Sequence, residues 1–217
     1  EEGYYGLNVT VPLKEDAYKY CNNTSDVARA LKAVNTLIVN KDGVYGDNTD
    51  PIGFEKSIAN RGLNNKPCLV LGAGGSARAV VYALTHMKCE IGIYNRTREN
   101  AESLCSDLGV EATILTETTL REFVGSSQLV VNTTSLGQQE GEENNLIDFN
   151  SLNSSAHVYD LIYNPSKTIF LRRAEKNGCT VQNGLEMLVH QAAQSFKLWH
   201  DIMPEIDDDL MSVLGVN

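Results

Sequence analysis

The chain has 217 residues, 42% apolar and 21% charged, ordinary for a soluble globular protein and enough to bury one large core or two smaller ones. Its formal net charge of −10 argues against the basic face a nucleic-acid partner needs, and no apolar run approaches the ~20 residues that span a membrane. Five scattered cysteines (Cys21, Cys68, Cys89, Cys105, Cys179) lack C-x-x-C spacing and read as reduced thiols of a cytoplasmic protein.

The first residues, Glu1-Glu2-Gly3, carry neither methionine nor a targeting pattern, and the chain is expected to be a fragment of something longer. Leu7–Val11 alternates like a strand and is stopped by Pro12. Thr24-Ser25-Asp26 predicts the cap of a short helix, and Asn35–Val39 with Gly43–Tyr45 predicts a hairpin turned at Lys41-Asp42-Gly43. Strands are then predicted at Cys68–Leu71, Glu90–Tyr94, Ala112–Leu115, Gln128–Asn132, His157–Leu161 and Thr180–Gln182. Helices are predicted at Ser76–Met87, Arg98–Leu108, Thr119–Gly125 and Lys167–Asn177, with Gln138–Asn145 as an acidic surface loop. Short apolar strands alternating with helices imply an α/β fold with a doubly wound parallel sheet. Gly184–Asp201 carries Leu185, Leu188, Val189, Ala192 and Phe196 at helical spacing, and is expected to return to the first domain and leave a cleft between two lobes. Pro204–Asn217 is expected to form an amphipathic helix, packed internally or on a partner. The division is therefore 1–47 as part of a smaller α/β domain, 48–183 as a nucleotide-binding domain, and 184–217 as returning helices.

Gly72 to Ala79 reads Gly-Ala-Gly-Gly-Ser-Ala-Arg-Ala straight after an apolar strand. Gly72, Gly74 and Ala77 fill the G-x-G-x-x-G/A positions, with Ala73, Gly75 and Ser76 completing a turn that presents helix N–H groups to a pyrophosphate. About twenty residues on, where an NAD site carries an acid for the ribose hydroxyls, the second strand ends in Asn95-Arg96-Thr97-Arg98. A guanidinium fork suits a 2′-phosphate that a carboxylate would repel, so the expected cofactor is NADP.

Three further segments carry more polarity than packing requires. Lys14 stands just past a strand end, ordinarily a solvated position. Asp47-Asn48-Thr49-Asp50 precedes Pro51 and also reads as a plain helix cap. Gln191 shares a helix face with Met187 and Leu188, which is costly without a partner.

Together the motifs Asn8–Lys14, Ala33–Thr36, Gly46–Asp50, Gly72–Ala79, Asn95–Thr97, Asn132–Gly137, Tyr163–Pro165 and Gly184–Ala192 resemble, in order, those of the shikimate dehydrogenase family. The resemblance implies a Rossmann-like NADP-binding domain, a smaller substrate domain truncated at its N-terminus, and NADPH-dependent reduction of 3-dehydroshikimate to shikimate. It implies that Lys14 and Asp50 are the catalytic pair, one of them the proton donor, and that Asn35, Thr49, Tyr163 and Gln191 bind substrate. It places Asn132, Thr133 and Ser135 beside the cofactor's ribose and nicotinamide, Ile162 near the nicotinamide ring, Gly184 with the cofactor, and Arg96 and Arg98 at the 2′-phosphate. The family's paired-serine stretch is absent, Lys32 stands where a glycine is frequent, and Gln138 where a methionine is common. Two related readings stay open: a quinate or quinate/shikimate dehydrogenase using NAD or NADP, and a non-catalytic ligand-binding regulator, against which the intact Lys14 and Asp50 speak. A monomer or homodimer is expected. The location is cytoplasmic, or plastid had a transit peptide preceded Glu1, and the chain could also be one module of a multifunctional polypeptide.

Overall fold

The computed structural model describes residues 4–139, 142 and 144–214. In chain order they form β1 (Gly6–Asn8), α1 (Lys14–Tyr20), β2 (Asn23–Thr24), α2 (Asp26–Leu31), β3 (Thr36–Asn40), β4 (Gly43–Asp47) and α3 (Asp50–Ser57). Next come β5 (Pro67–Leu71), α4 (Gly75–His86), β6 (Glu90–Tyr94), α5 (Arg98–Leu108), β7 (Thr113–Ile114), α6 (Glu117–Ser126) and β8 (Leu129–Asn132). The last are β9 (His157–Asp160), α7 (Ile169–Lys176), β10 (Thr180–Asn183), α8 (Leu185–His200) and α9 (Asp208–Val213). They cluster into two units, Glu1–Ser57 with Glu186–Asn217, and Ile58–Leu185. Helix α3 thus groups with the first unit, not with the nucleotide-binding segment where the sequence boundary at 48 put it.

The first unit holds a four-stranded sheet in the order β1-β3-β4-β2, antiparallel except for the β2–β4 pair. Strand β1 is shorter than Leu7–Val11: after Asn8 only Val9 N–H continues toward β3, at Asn35 O, and Leu13 N–H closes a turn on Thr10 O. The chain is then free to start α1 at Lys14. Ser25 caps α2 by accepting from Ala28 N–H at 3.0 Å, as its sequence suggests. Helix α8 joins this unit. The Trp199 indole donates to Leu37 O at 2.9 Å, and α3 meets α8 where a Cβ on Gly53 would lie 2.8 Å from Gln191 Cβ and Met187 O. That close approach requires glycine at 53 and brings Gln191 onto the start of α3.

The second unit is a six-stranded parallel sheet, order β10-β9-β8-β5-β6-β7. Counted from β5 along the chain this is the doubly wound order 3-2-1-4-5-6. Cys68 to Leu71 and Leu129 to Val131 are fully buried, as continuous apolar strands covered on both faces must be. Leu69, Leu71, Val130 and Val158 pack with Leu120 and Val124 of α6 and Phe170, Leu171 and Ala174 of α7. Helices α4 and α5 contribute Val80, Val81, Leu84 and Leu104 to the buried core. The strand order reverses between β5 and β8, so the carboxyl ends of those strands border the crevice where such folds bind ligands. Of the acidic loop, residues 140, 141 and 143 lie outside the described residues, as do 215–217 of the expected last helix, whose described part is α9 capped by Asp207.

Candidate active site

Within the first unit, α1, the β3 entrance, α3 and α8 bring one polar cluster together. Lys14 opens α1 with its side chain only 23% exposed, and its Nζ donates to Asp50 Oδ2 at 2.6 Å. It is paired and not a solvated charge. Asp50 is the first residue of α3, yet it does not cap that helix: Asn48 Oδ1 accepts its backbone N–H at 3.1 Å, which leaves the carboxylate for Lys14 and Asn35. Asn35, 2% exposed, donates from Nδ2 to Asp50 Oδ1 at 2.9 Å, Thr49 Oγ1 at 3.0 Å and Gln191 Oε1 at 3.2 Å. Its Oδ1 accepts from Thr49 N–H and the Thr36 hydroxyl. Gln191 thus finds the polar partner its apolar surroundings demanded, while its Nε2 donates to Leu188 O.

A residue the sequence did not suggest lies beneath this cluster. Ser195 is fully buried, with Oγ 2.7 Å from Thr36 Oγ1, 3.2 Å from Thr49 Oγ1 and 3.1 Å from Asn8 Nδ2. Thr36 spends its one proton on Asn35 Oδ1, so it can only accept from Ser195, whose single proton is shared between Thr36 Oγ1 and Gln191 O at 3.1 Å. The available signal was spacing: Ser195 is one turn after Gln191 and shares its face.

In the second unit the glycine turn follows β5, where the strand order reverses. Gly72 has φ +108°, and a Cβ there would lie 2.6 Å from Thr133 Oγ1, so fold geometry alone demands glycine. Gly74 and Gly75 differ. A Cβ on either meets nothing within 4 Å, and Gly74 has an ordinary φ of −86°. The fold does not need these two glycines. They leave bare backbone at the start of α4, which has no side-chain cap on its N–H groups, and Ala77 is buried behind them. This cradle fits a pyrophosphate.

Beside it, Gly72, Tyr94, Asn95, Arg96, Thr134 and Ser135 line a cavity of about 330 Å³. Arg96 is exposed and has no ion-pair partner among the described residues, whereas Arg98 Nε is held by Glu102 at 2.7 Å on its own helix. Asn95 Nδ2 donates to Thr97 O. The Thr133 hydroxyl bonds Leu71 O at 2.7 Å, locking the loop after β8 to the end of β5. Asn132 is fully buried, and its amide faces Asp160 and Thr134, not the cavity. Ile162 is 9% exposed and accepts from Gly184 N–H, and Gly184 has no room for a Cβ against Leu161 O. Tyr163 is 49% exposed.

Asp160 was also unforeseen. It ends β9 with 0% exposure, and burial raises its carboxyl to about 6 although Thr168, Ile162 N–H and Asn132 all bond its ionised form. An acid closing an apolar strand at the carboxyl end of the sheet was the signal for it. Among the described residues no cluster of His, Cys, Asp and Glu could hold a metal ion, and no helix is long and apolar enough to cross a membrane.

Three family models match the chain. The shikimate dehydrogenase substrate binding domain covers residues 1–37, shikimate/quinate 5-dehydrogenase covers 55–146, and the shikimate 5′-dehydrogenase C-terminal domain covers 184–214. Shikimate dehydrogenase (NADP(+)) of Caldicellulosiruptor bescii is 38% identical over 220 residues, 99% of this chain and 76% of that protein. Shikimate 5-dehydrogenase of Thermus thermophilus, in complex with NADP(H) and shikimate, matches with a TM-score of 0.85 at 34% identity, over 98% of this chain and 78% of that one. Quinate dehydrogenase of Corynebacterium glutamicum, in complex with NAD, matches with a TM-score of 0.83 at 27% identity, over 99% and 77%.

Proposed function

The chain belongs to the shikimate dehydrogenase family, and we propose that it reduces 3-dehydroshikimate reversibly to shikimate with NADPH, the first unit binding substrate and the second binding cofactor. NADPH, when bound, would supply the hydride for the ketone carbon. The ketone oxygen then becomes an alkoxide that needs a nearby positive charge and a proton. Lys14 can give both: an ammonium has three donors, and Asp50 engages one of them. Asp50 Oδ1 and Oδ2 each keep a lone pair beyond Asn35 and Lys14, so the carboxylate also accepts from the hydroxyl next to the reacting carbon. Asn35, Thr49 and Gln191, already bonded to one another, offer further polar contacts to ring hydroxyls. The family resemblance adds Tyr163, half exposed in the loop after β9, to the proposed substrate contacts.

In the cofactor unit, the open backbone at Gly74, Gly75 and Ser76 would hold the pyrophosphate, and Arg96 the 2′-phosphate, with Asn95 and Thr97 bordering it. Thr133, Ser135, Ile162 and Gly184 would flank the ribose and nicotinamide end, while the buried Asn132, bonded to Thr134, would act by shaping the loop after β8. The observation carrying this reading is the Lys14–Asp50–Asn35–Gln191 cluster, assembled from four distant segments of chain. The family also contains a quinate dehydrogenase, but the arginines and the absent acid after β6 favour NADP and with it the shikimate reading. We place it in the cytoplasm, as a monomer or homodimer.

The test compares shikimate and quinate with NADP and with NAD, following reduced nicotinamide by absorbance. Shikimate with NADP is expected to give the highest kcat/KM of the four pairs. Quinate with NAD giving the highest would overturn the assignment.

A further inference from the structure

The buried carboxylate of Asp160 has an unusual task for an ionisable group: among the described residues no cation pairs with it, and its partners are an amide, a hydroxyl and a backbone N–H. Asn132 Nδ2 and Ile162 N–H donate to Oδ1 at 2.9 and 3.2 Å, and the Thr168 hydroxyl donates to Oδ2 at 2.6 Å. An ionised carboxylate can only accept, so it admits only the NH2 end of the Asn132 amide. The oxygen end must then face the other way. There it accepts from Thr134 N–H at 3.1 Å and the Thr134 hydroxyl at 2.7 Å, and Thr134 Oγ1 in turn accepts from Leu136 N–H at 3.3 Å. Thr134, Ser135 and Leu136 form one wall of the cavity that contains Gly72 and Arg96. The second carboxylate oxygen reaches Thr168, which caps α7 by accepting from Leu171 N–H.

From this chain of donors and acceptors we propose that Asp160 is the positioning residue of the cofactor site. It fixes the sense of the Asn132 amide and thereby the conformation of the loop from Thr133 to Gly137, together with the backbone at Ile162. A buried acid is a costly way to join β8, β9 and α7, since a neutral polar or apolar side chain could do so without desolvating a charge. What a neutral side chain cannot do is impose one direction on every bond in the chain. With an asparagine at 160 two arrangements compete: Oδ1 keeps the Asn132 amide and Ile162 N–H while the NH2 donates to Thr168 Oγ1, or the NH2 turns to Asn132 and Ile162 and confronts two donors. The first takes the acceptor from the buried Thr168 proton, and the second turns the Asn132 amide over and releases Thr134. The inference rests on the NADP reading of the second unit. It extends that reading to a residue that does not itself line the cavity.

The test measures KM for NADP and for shikimate, and the Kd of NADP by calorimetry, in the native chain and in Asp160→Asn. The variant is expected to raise both NADP constants by about tenfold or more, the equivalent of one hydrogen bond to a charged group, while KM for shikimate stays within about twofold. Should Asp160→Asn fail to fold, Asn132→Leu, which removes the oriented amide and leaves the carboxylate two donors, is expected to show the same NADP-specific loss. NADP constants unchanged in the folded variant, or equal losses for both ligands, would overturn the role. If the native chain binds NADP but does not turn over shikimate, the proposed reaction fails and calorimetry still decides the role of Asp160. If it binds no NADP, both fall.

Discussion

Arg96 and Arg98 are two residues apart, yet their surroundings separate them. Arg98 is tied to Glu102 one turn along α5, while Arg96 stands at the edge of the cavity with no ion-pair partner among the described residues. Arg96→Ala is therefore expected to raise KM for NADP by about tenfold or more, the worth of a charge-assisted contact to phosphate, and Arg98→Ala by less than about threefold. Steady-state kinetics with NADP and NAD check this, since only the NADP constant should move. Ser195→Ala is expected to lower stability by about 1–2 kcal/mol by taking a partner from the buried Thr36 hydroxyl and from the Asn8 amide, and to raise KM for shikimate through Thr49 and Asn35; melting curves and kinetics read the two effects. The residues proposed to meet ligand were legible in the sequence because they are polar where packing has no use for polarity: Lys14, Asp50 and Gln191 stood out, and their motifs fell in order. Asp160 and Ser195 were not. Each is a single polar residue on an apolar element, and its meaning lies entirely in partners brought from other strands.

At the scale of elements, the β5–turn–α4 unit was readable almost to the residue, because a buried strand, a glycine turn and a capless helix each leave a local mark. The structure separates two kinds of glycine within that turn. Gly72→Ala is expected to destabilise the chain by about 2–4 kcal/mol, through the positive φ and the contact with Thr133. Gly74→Ala has open space around it and is expected to leave the melting temperature close to native while weakening NADP binding. Thermal melts with and without NADP distinguish the two: a Gly74→Ala variant that binds NADP normally would remove the cradle from the account. The short elements of the first unit were poorly legible for a physical reason. Helix α1 buries none of its residues, so it has no apolar stripe to read, and β1 is cut to three residues by the turn that starts at Thr10.

At the scale of the molecule, one strand carries two titrations of opposite sign. His157 begins β9, its ring between Thr180 Oγ1 and Gln182 Oε1, and burial, aided by Arg61, lowers its pKa from 6.5 to about 4. The fold favours neutral His157, so that contribution is complete above pH 6.5 and is lost as pH falls toward 4. Asp160 ends the same strand, and burial raises its pKa from 3.8 to about 6, so its contribution is complete below 3.8 and is lost as pH rises through 6. Between pH 7 and 4 the two oppose each other. Relative to the native chain, His157→Gln is expected to gain stability as pH falls and Asp160→Asn to lose it, which melts at several pH values check. Shifts in the same direction would contradict these assignments. The change of pattern along the sequence suggested two units, but the boundary at 48 separated α3 from the first, because what ties α3 there is its close approach to α8 at Gly53, a long-range contact with no local mark.

Lys14, held by Asp50, is proposed to serve the reduction of a ketone by a nicotinamide cofactor. This role is tested most directly by shikimate-dependent NADP reduction in the native chain and in Lys14→Ala. The expected result is native turnover that falls by about 10²–10⁴-fold in the variant, the range for loss of a positioned proton donor, with NADP binding unchanged. Native turnover that survives the substitution, or a native chain that binds NADP and leaves shikimate untouched, would contradict it.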